Sequence, residues 1–191
     1  GTTPIVAQTT KQGLVYTFNR ETGEPIWPIE EVPFPASIVP GEKLSTTQPI
    51  PTKPAPYDMQ GLSLATLVDF TPEIRAQAIA AVAEYQMGPL FNPPLYRDNP
   101  LGKISAMICP SGAVNITHPS VADPTTGILY VTSRSSCSAR PLVSGEEADT
   151  YYDAPTGTTL SQYAAGRGGA TPRHPLGIPL WKPPYSRITA I

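Results

Sequence analysis

Apolar residues come in short bursts along this chain, and a proline or glycine cuts nearly every burst. Ile5-Val6-Ala7 and Leu14-Val15-Tyr16-Thr17-Phe18 are β-branched and aromatic, the make-up of strands. Asn19-Arg20-Glu21-Thr22-Gly23 then reads as a turn, with Gly23 free to take a positive φ, and Pro25-Ile26-Trp27 resumes an extended course. The phrase returns further on. Asp123-Pro124-Thr125-Thr126-Gly127 is a second turn closing on Thr-Gly, and Ile128-Leu129-Tyr130-Val131-Thr132 is the strand after it. Residues 103–108 and 114–122 are further candidate strands, and a last one begins near Ser186.

Only one segment carries a clear helical signature. Thr71 is a good N-cap, Pro72 suits the first helical position, and Glu73 suits the positive end of the helix dipole. Ile74, Ala78, Ile79, Val82 and Tyr85 then fall on one face, and Gly88-Pro89 stops the pattern. The helix is placed at about residues 72–86, with a weaker short helix over residues 62–68. Eight prolines between Pro28 and Pro56 leave no room for a regular helix or a central strand. A long ordered loop is expected there, with Ile29, Val32, Phe34, Ile38, Val39 and Ile50 packing on a surface. Residues 134–179 are polar and read as another long loop, containing Gly166-Arg167-Gly168-Gly169.

Composition sharpens this picture. The 25 prolines and 15 glycines make up about a fifth of the 191 residues, which excludes a helix bundle. A formal charge of −2 offers no basic field for nucleic acid or an anionic membrane. No run reaches the roughly 18 apolar residues of a membrane span. The opening Gly1-Thr2-Thr3-Pro4-Ile5 has neither an initiator Met nor a signal-peptide pattern. It reads like the interior of a longer gene, as does the close on Arg187-Ile188-Thr189-Ala190-Ile191, inside a strand pattern. Cys109 and Cys137 fit either a disulfide or two buried thiols.

Generic catalytic signatures are missing: there is no G-x-S-x-G, Walker A, H-E-x-x-H or strand-borne GxGxxG. The Gly166–Gly169 piece reads as a flexible connection rather than a phosphate cradle. His118 and His174 each precede a proline, with no Cys or Asp at metal spacing, and read as structural. Glu30-Glu31 and Glu146-Glu147 point apart in an extended chain and read as solvated charge. Asn115-Ile116-Thr117 matches a glycosylation sequon, a pattern common by chance.

A longer set of residues is more telling. The block from Thr10-Lys11-Gln12-Gly13-Leu14-Val15-Tyr16 through Thr22-Gly23-Glu24-Pro25-Ile26-Trp27-Pro28 to Glu30-Glu31 strongly resembles the pyrroloquinoline-quinone (PQQ)-dependent dehydrogenases of glucose and alcohol type. Four more blocks match in family order: Pro49-Ile50-Pro51-Thr52-Lys53-Pro54-Ala55-Pro56, Gly88-Pro89-Leu90-Phe91-Asn92-Pro93-Pro94, residues 122–131 and residues 182–191. The resemblance implies a mainly β fold, a partial eight-bladed β-propeller of about one and a half blades with a long Pro-rich insertion carrying one α-helix. On this reading residues 1–31 are strands of one blade, 32–102 the insertion, and 103–191 part of the next blade with a long loop. At roughly 40–50 residues per blade, 191 residues cannot close such a ring.

The resemblance also implies chemistry. A sugar or alcohol would give a hydride to the quinone, and calcium would polarise the cofactor. Lys11 matches a family lysine that contacts the quinone, where an ammonium favours negative charge on oxygen; by itself it would read as a solvated turn lysine. Asn115 stands where the family has a cofactor-binding Asn. Ile116 replaces the family's Trp there and His118-Pro119 a Gly pair, and an Asn at a strand end also caps its own turn. The family base and the metal carboxylates are expected before residue 1, so the catalytic residue is unknown, no metal ligand is assigned, and Asp58, Asp69 and Asp123 are not put in their place. The implied partners are the rest of the propeller chain, a small substrate and a respiratory electron acceptor, at the periplasmic or outer face of the inner membrane. The alternative is a non-enzymatic, propeller-derived interaction module without cofactor. An open propeller leaves strand edges unpaired, so the segment alone is expected to bind cofactor poorly or to associate through its edges. Size measurement in dilute solution checks this, and a compact monomer that binds the quinone tightly would refute it.

Overall fold

The structure is a computed structural model that describes residues 2–112, 120–144, 163–165 and 171–191. Its strands run β1 (Ile5–Thr9), β2 (Val15–Asn19), β3 (Ile29–Pro33), β4 (Thr47–Pro51) and β5 (Gly61–Leu62) before the helix α1 (Pro72–Val82). After it come β6 (Tyr85–Gln86), β7 (Gly88–Pro89), β8 (Ser105–Ile108), β9 (Val121–Ala122) and β10 (Leu129–Arg134). The chain ends with β11 (Ser138–Ala139), β12 (Leu142–Ser144), β13 (Tyr163–Ala165) and β14 (Ser186–Ala190). It is mainly β, with one α-helix among the described residues.

The two Thr-Gly phrases build the same turn twice. In the first, Asn19 N–H donates to Glu24 O and Gly23 N–H to Asn19 O, while Asn19 Oδ1 accepts from Glu21 N–H at 2.8 Å. In the second, Asp123 N–H donates to Ile128 O and Gly127 N–H to Asp123 O, while Asp123 Oδ1 accepts from Thr125 N–H at 2.8 Å. Gly23 (φ +77°) and Gly127 (φ +73°) both occupy the left-handed region that the turn needs. Each turn feeds a small antiparallel sheet. β1 pairs with β2 from Ile5↔Asn19 to Thr9↔Val15, and a bridge from Phe18 to Pro25 brings a third extended piece alongside. β10 pairs with β14 over Tyr130↔Ala190 to Arg134↔Ser186 and with β9 on its other side. Val15, Tyr57 and Val131 are buried between these two sheets.

The proline-rich stretch is more regular than its composition suggests, because β3 and β4 form an antiparallel ribbon. The bonds Phe34 N–H to Thr46 O and Thr52 N–H to Pro28 O fix which pairs are hydrogen-bonded. By alternation, Ile29↔Pro51, Glu31↔Pro49 and Pro33↔Thr47 are the non-bonded pairs. All three strand prolines therefore sit where no N–H is needed, and both strands are edges.

A larger core forms around α1. Thr71 Oγ1 caps it by accepting from Ile74 N–H at 3.2 Å. Glu73 is held below the usual carboxylate range by its own backbone N–H and by the Thr71 hydroxyl. Ala78 and Val82 are buried and Ile74 packs partly against the same cluster. The helix stops at Val82 rather than near residue 86, because Tyr85 and Gln86 leave to pair in parallel with Ser105 and Ala106 of β8. Ile79 lies off the buried face and is exposed, a second correction to the expected helix face. The polar stretch after residue 134 holds the short strands β11, β12 and β13 rather than loop alone. Of the strand expected at residues 114–122, Val121–Ala122 is formed and residues 113–119 lie outside the described residues.

Cys109 and Cys137 form a disulfide that ties β8 to β11 within this core, with Cα atoms 4.6 Å apart. It closes a loop of 28 residues, worth about 3.6 kcal/mol in the chain-entropy account. Replacing both cysteines by serine is expected to lower unfolding stability by about 2–4 kcal/mol in urea titration; a loss under about 1 kcal/mol would show the bridge to be redundant. Asp123 gives a second prediction. The Thr126 hydroxyl and the Thr125 N–H hold its carboxyl below the ordinary 3.8. Stability from a depressed carboxyl is present above the unfolded pKa and lost as pH falls through the folded one. Asp123→Ala should therefore lower the melting temperature near pH 7, and the gap from the parent should shrink as pH falls below about 4. A gap that is constant across that range would contradict the turn role.

Candidate functional site

Lys11 lies in the five-residue connection, residues 10–14, between β1 and β2. Thr10 N–H donates to Leu14 O at 3.0 Å and Gly13 N–H to Thr10 O at 3.1 Å, while Gly13 takes φ +77° to let the chain re-enter β2. The loop is clamped from outside by one short segment. Tyr57 N–H donates to Gly13 O at 2.9 Å, Gln60 Nε2 donates to Gln12 O at 2.7 Å, and the Tyr57 hydroxyl donates to Thr10 O. A Cβ on Gly13 would stand 3.1 Å from Asp58 Cβ, so only glycine suits both the backbone angle and the close approach. These bonds immobilise the residues either side of Lys11. The Lys11 side chain itself is exposed and has no hydrogen bond or ion pair among the described residues.

The clamping segment is held in turn by the second sheet. Ser133 Oγ lies 3.5 Å from Tyr57 O, the limit of a hydrogen bond. Ser135 Oγ donates to Asp58 Oδ1 at 2.7 Å, and the Met59 N–H donates to the same oxygen at 2.7 Å. Arg187 NH2 donates to Ser135 Oγ and to Pro184 O, each at 3.4 Å. Asp58 is only 5% exposed, and its other oxygen, Oδ2, is buried without a partner, as is Arg187 Nε. Burial pushes the neighbouring Tyr57 phenol up to about 12; the Thr10 carbonyl opposes the shift and the Asp58 charge adds to it. The phenol therefore remains a donor across the physiological range.

Beside the clamp opens a cavity of about 640 Å³, lined by Met59, Gln60, Gly61, Leu62, Met87 and Gly88 among others. Its walls are mostly apolar. Gly61 and Gly88 let β5 and β7 meet, since a Cβ on Gly61 would fall 2.4 Å from Gly88 O. Gln60 belongs both to this wall and to the Lys11 loop.

The other residues singled out in the sequence fall elsewhere. Asn115, with Ile116 and His118-Pro119, lies outside the described residues, as do Glu146-Glu147 and Gly166–Gly169. His174 is buried and structural. Its Nδ1 accepts from Leu176 N–H at 3.1 Å, so Nε2 carries the proton and donates to Ile74 O at 3.1 Å, pinning α1. Asp69 pairs with Lys182 at 2.6 Å on the surface. Among the described residues no group of His, Cys, Asp or Glu could hold a metal ion, and no helix is long and apolar enough to cross a membrane. Sequence reasoning passed over the clamp. Tyr57 and Asp58 follow the Pro49–Pro56 block with no spacing that marks them, and their role exists only through contacts with residues 10–13 and 133–135.

A family profile described as the PQQ-type glucose/ethanol/alcohol dehydrogenase β-propeller domain matches residues 1–191. The glycerol dehydrogenase large subunit of Gluconobacter thailandicus is 28% identical over 216 aligned residues, covering 100% of this chain and 27% of the relative. That of Gluconobacter oxydans (strain 621H) is 26% identical over 206, covering 98% and 27%. The chain thus spans about a quarter of the length of these curated relatives. No solved structure matches it. With the profile running from first residue to last over a chain of two like hairpins, the protein belongs to the family of PQQ-type glucose/ethanol/alcohol dehydrogenase β-propellers.

Proposed function

We propose that this chain is a segment of a PQQ-dependent dehydrogenase that oxidises a sugar or alcohol, and that Lys11 contacts the quinone. One observation carries the assignment of the residue: an exposed ammonium without a partner among the described residues stands on a loop whose neighbours are tied down. When bound, PQQ would supply the hydride acceptor and calcium a Lewis acid beside it. Lys11 contributes a positive charge, carried on a fixed loop, that favours negative charge on the quinone oxygen. Asn115 is retained as a second cofactor contact through its side-chain amide. The base and the calcium ligands are assigned to parts of the protein outside residues 1–191.

The relatives' name, glycerol dehydrogenase, supports a small polyhydroxylated substrate. The Cys109–Cys137 bridge supports an oxidising, periplasmic setting, with electrons passing to a respiratory acceptor. Exposed apolar residues on the edge strands, Val6 (49%), Val121 (64%) and Ile188 (72%), support completion of the sheets by the rest of the propeller. By itself the segment would then be incomplete and inactive.

The test is an absorbance titration of the full-length protein with PQQ and calcium, followed by dye reduction with candidate polyols. Lys11→Ala is expected to lower turnover by about 100-fold with the fold intact by circular dichroism. Unchanged turnover would remove Lys11 from the site. Failure of the parent protein to bind the quinone at all would favour the non-enzymatic propeller module.

A further inference from the structure

We infer that Asp58 is a positioning residue that sets the location of the Lys11 ammonium through the Tyr57–Gln60 clamp, with Ser135 and Arg187 as its anchors on the second sheet. The inference rests on the reading of Lys11 as a quinone contact and extends it to a residue 47 positions further along the chain. Asp58 Oδ1 gathers two donors at 2.7 Å, one from its own segment and one from Ser135, just past the end of β10. Either side of that carboxyl, Tyr57 and Gln60 make the three bonds to residues 10–13. Asp58 also packs directly on Gly13, where an added Cβ would stand only 3.1 Å from Asp58 Cβ and would press on it. A shift of Asp58 relative to Ser135 must therefore move the loop that carries Lys11.

Stability alone is a poor explanation for this residue. A carboxyl buried to 5% exposure with one oxygen unpartnered is costly to fold, and a nearby guanidinium nitrogen is orphaned as well. An apolar filling of the same volume would often be as stable. What the polar arrangement provides is a directional link between two sheets that otherwise meet through apolar packing and the Ser120–Thr9 hydroxyl bond at 3.0 Å. Only the Val15, Tyr57 and Val131 cluster lies between them among the buried described residues.

The experiment is a double-mutant cycle on the full-length protein, reading PQQ affinity by fluorescence titration in the presence of calcium, with apo melting temperature as the folding control. Asp58→Ala is expected to weaken PQQ binding about tenfold. Asp58→Asn keeps an oxygen for both donors and should bind within about threefold of the parent. Because Asp58 acts through Lys11, the pair Lys11→Ala with Asp58→Ala should bind no more weakly than Lys11→Ala alone. Additive losses, or normal binding by folded Asp58→Ala, would overturn the inference. Should Asp58→Ala fail to fold, Ser135→Ala removes the same anchor and carries the same expectations. Normal binding by Lys11→Ala would instead overturn the reading of Lys11 itself, and the positioning role with it.

Discussion

The structure depends on one short segment being bonded on both sides. Residues 57–60 meet the β1–β2 loop through three hydrogen bonds, and Asp58 meets Ser135 at the end of β10, which Arg187 of β14 also holds. The two hairpin sheets do not pair with each other edge to edge. Their relative placement rests on the Tyr57 ring between Val15 and Val131, on the hydroxyl bond from Ser120 to Thr9 and on this polar seam. Apolar packing brings the sheets together but tolerates sliding, whereas directional bonds at 2.7 Å admit few alternatives. The price of that definition is a half-satisfied carboxyl in a dry place.

The long excursion between the hairpins is a structural body in its own right. Its core gathers α1, the strand β8, the disulfide and Leu180 from close to the C-terminal end, with Met59 beside the clamp. Segments distant in sequence thus converge on one apolar cluster. The β3–β4 ribbon stands apart from that cluster and reaches the first hairpin through the Tyr16 hydroxyl, which donates to Pro49 O at 2.7 Å. Proline richness does not loosen it, because the ring nitrogens occupy positions from which no donor is required. Proline also reduces the freedom of the unfolded chain, so an ordered excursion of this composition is thermodynamically reasonable.

Function in a propeller of this family is a matter of where groups point relative to a central axis. A lysine in a hairpin loop is chemically ordinary until its loop is fixed. Here the fixing comes from outside the hairpin, and the open edges of β1, β9 and β14 leave room for neighbouring sheets to complete the surroundings. The segment that fixes this loop is the same one that links the two hairpin sheets.

Local chemistry was enough to write down much of the fold. The Asn19–Gly23 and Asp123–Gly127 turns follow from a side-chain acceptor at the first position and glycine at the last, both short-range effects. The helix start follows from Thr71, Pro72 and Glu73 in the same way, and the resemblance rested on contiguous blocks. The helix end, the exposure of Ile79 and the β3–β4 ribbon were not legible, because each depends on a partner strand or on a face covered by distant residues. The disulfide was an open choice until Cys109 and Cys137 were brought within 4.6 Å by the pairing of β8 with β11. The loop carrying Lys11 could be read from sequence as a turn between two strands, but the means of holding it could not. Gly13, Tyr57, Asp58, Ser135 and Arg187 carry no shared spacing, and only the folding of two sheets around one segment makes them neighbours.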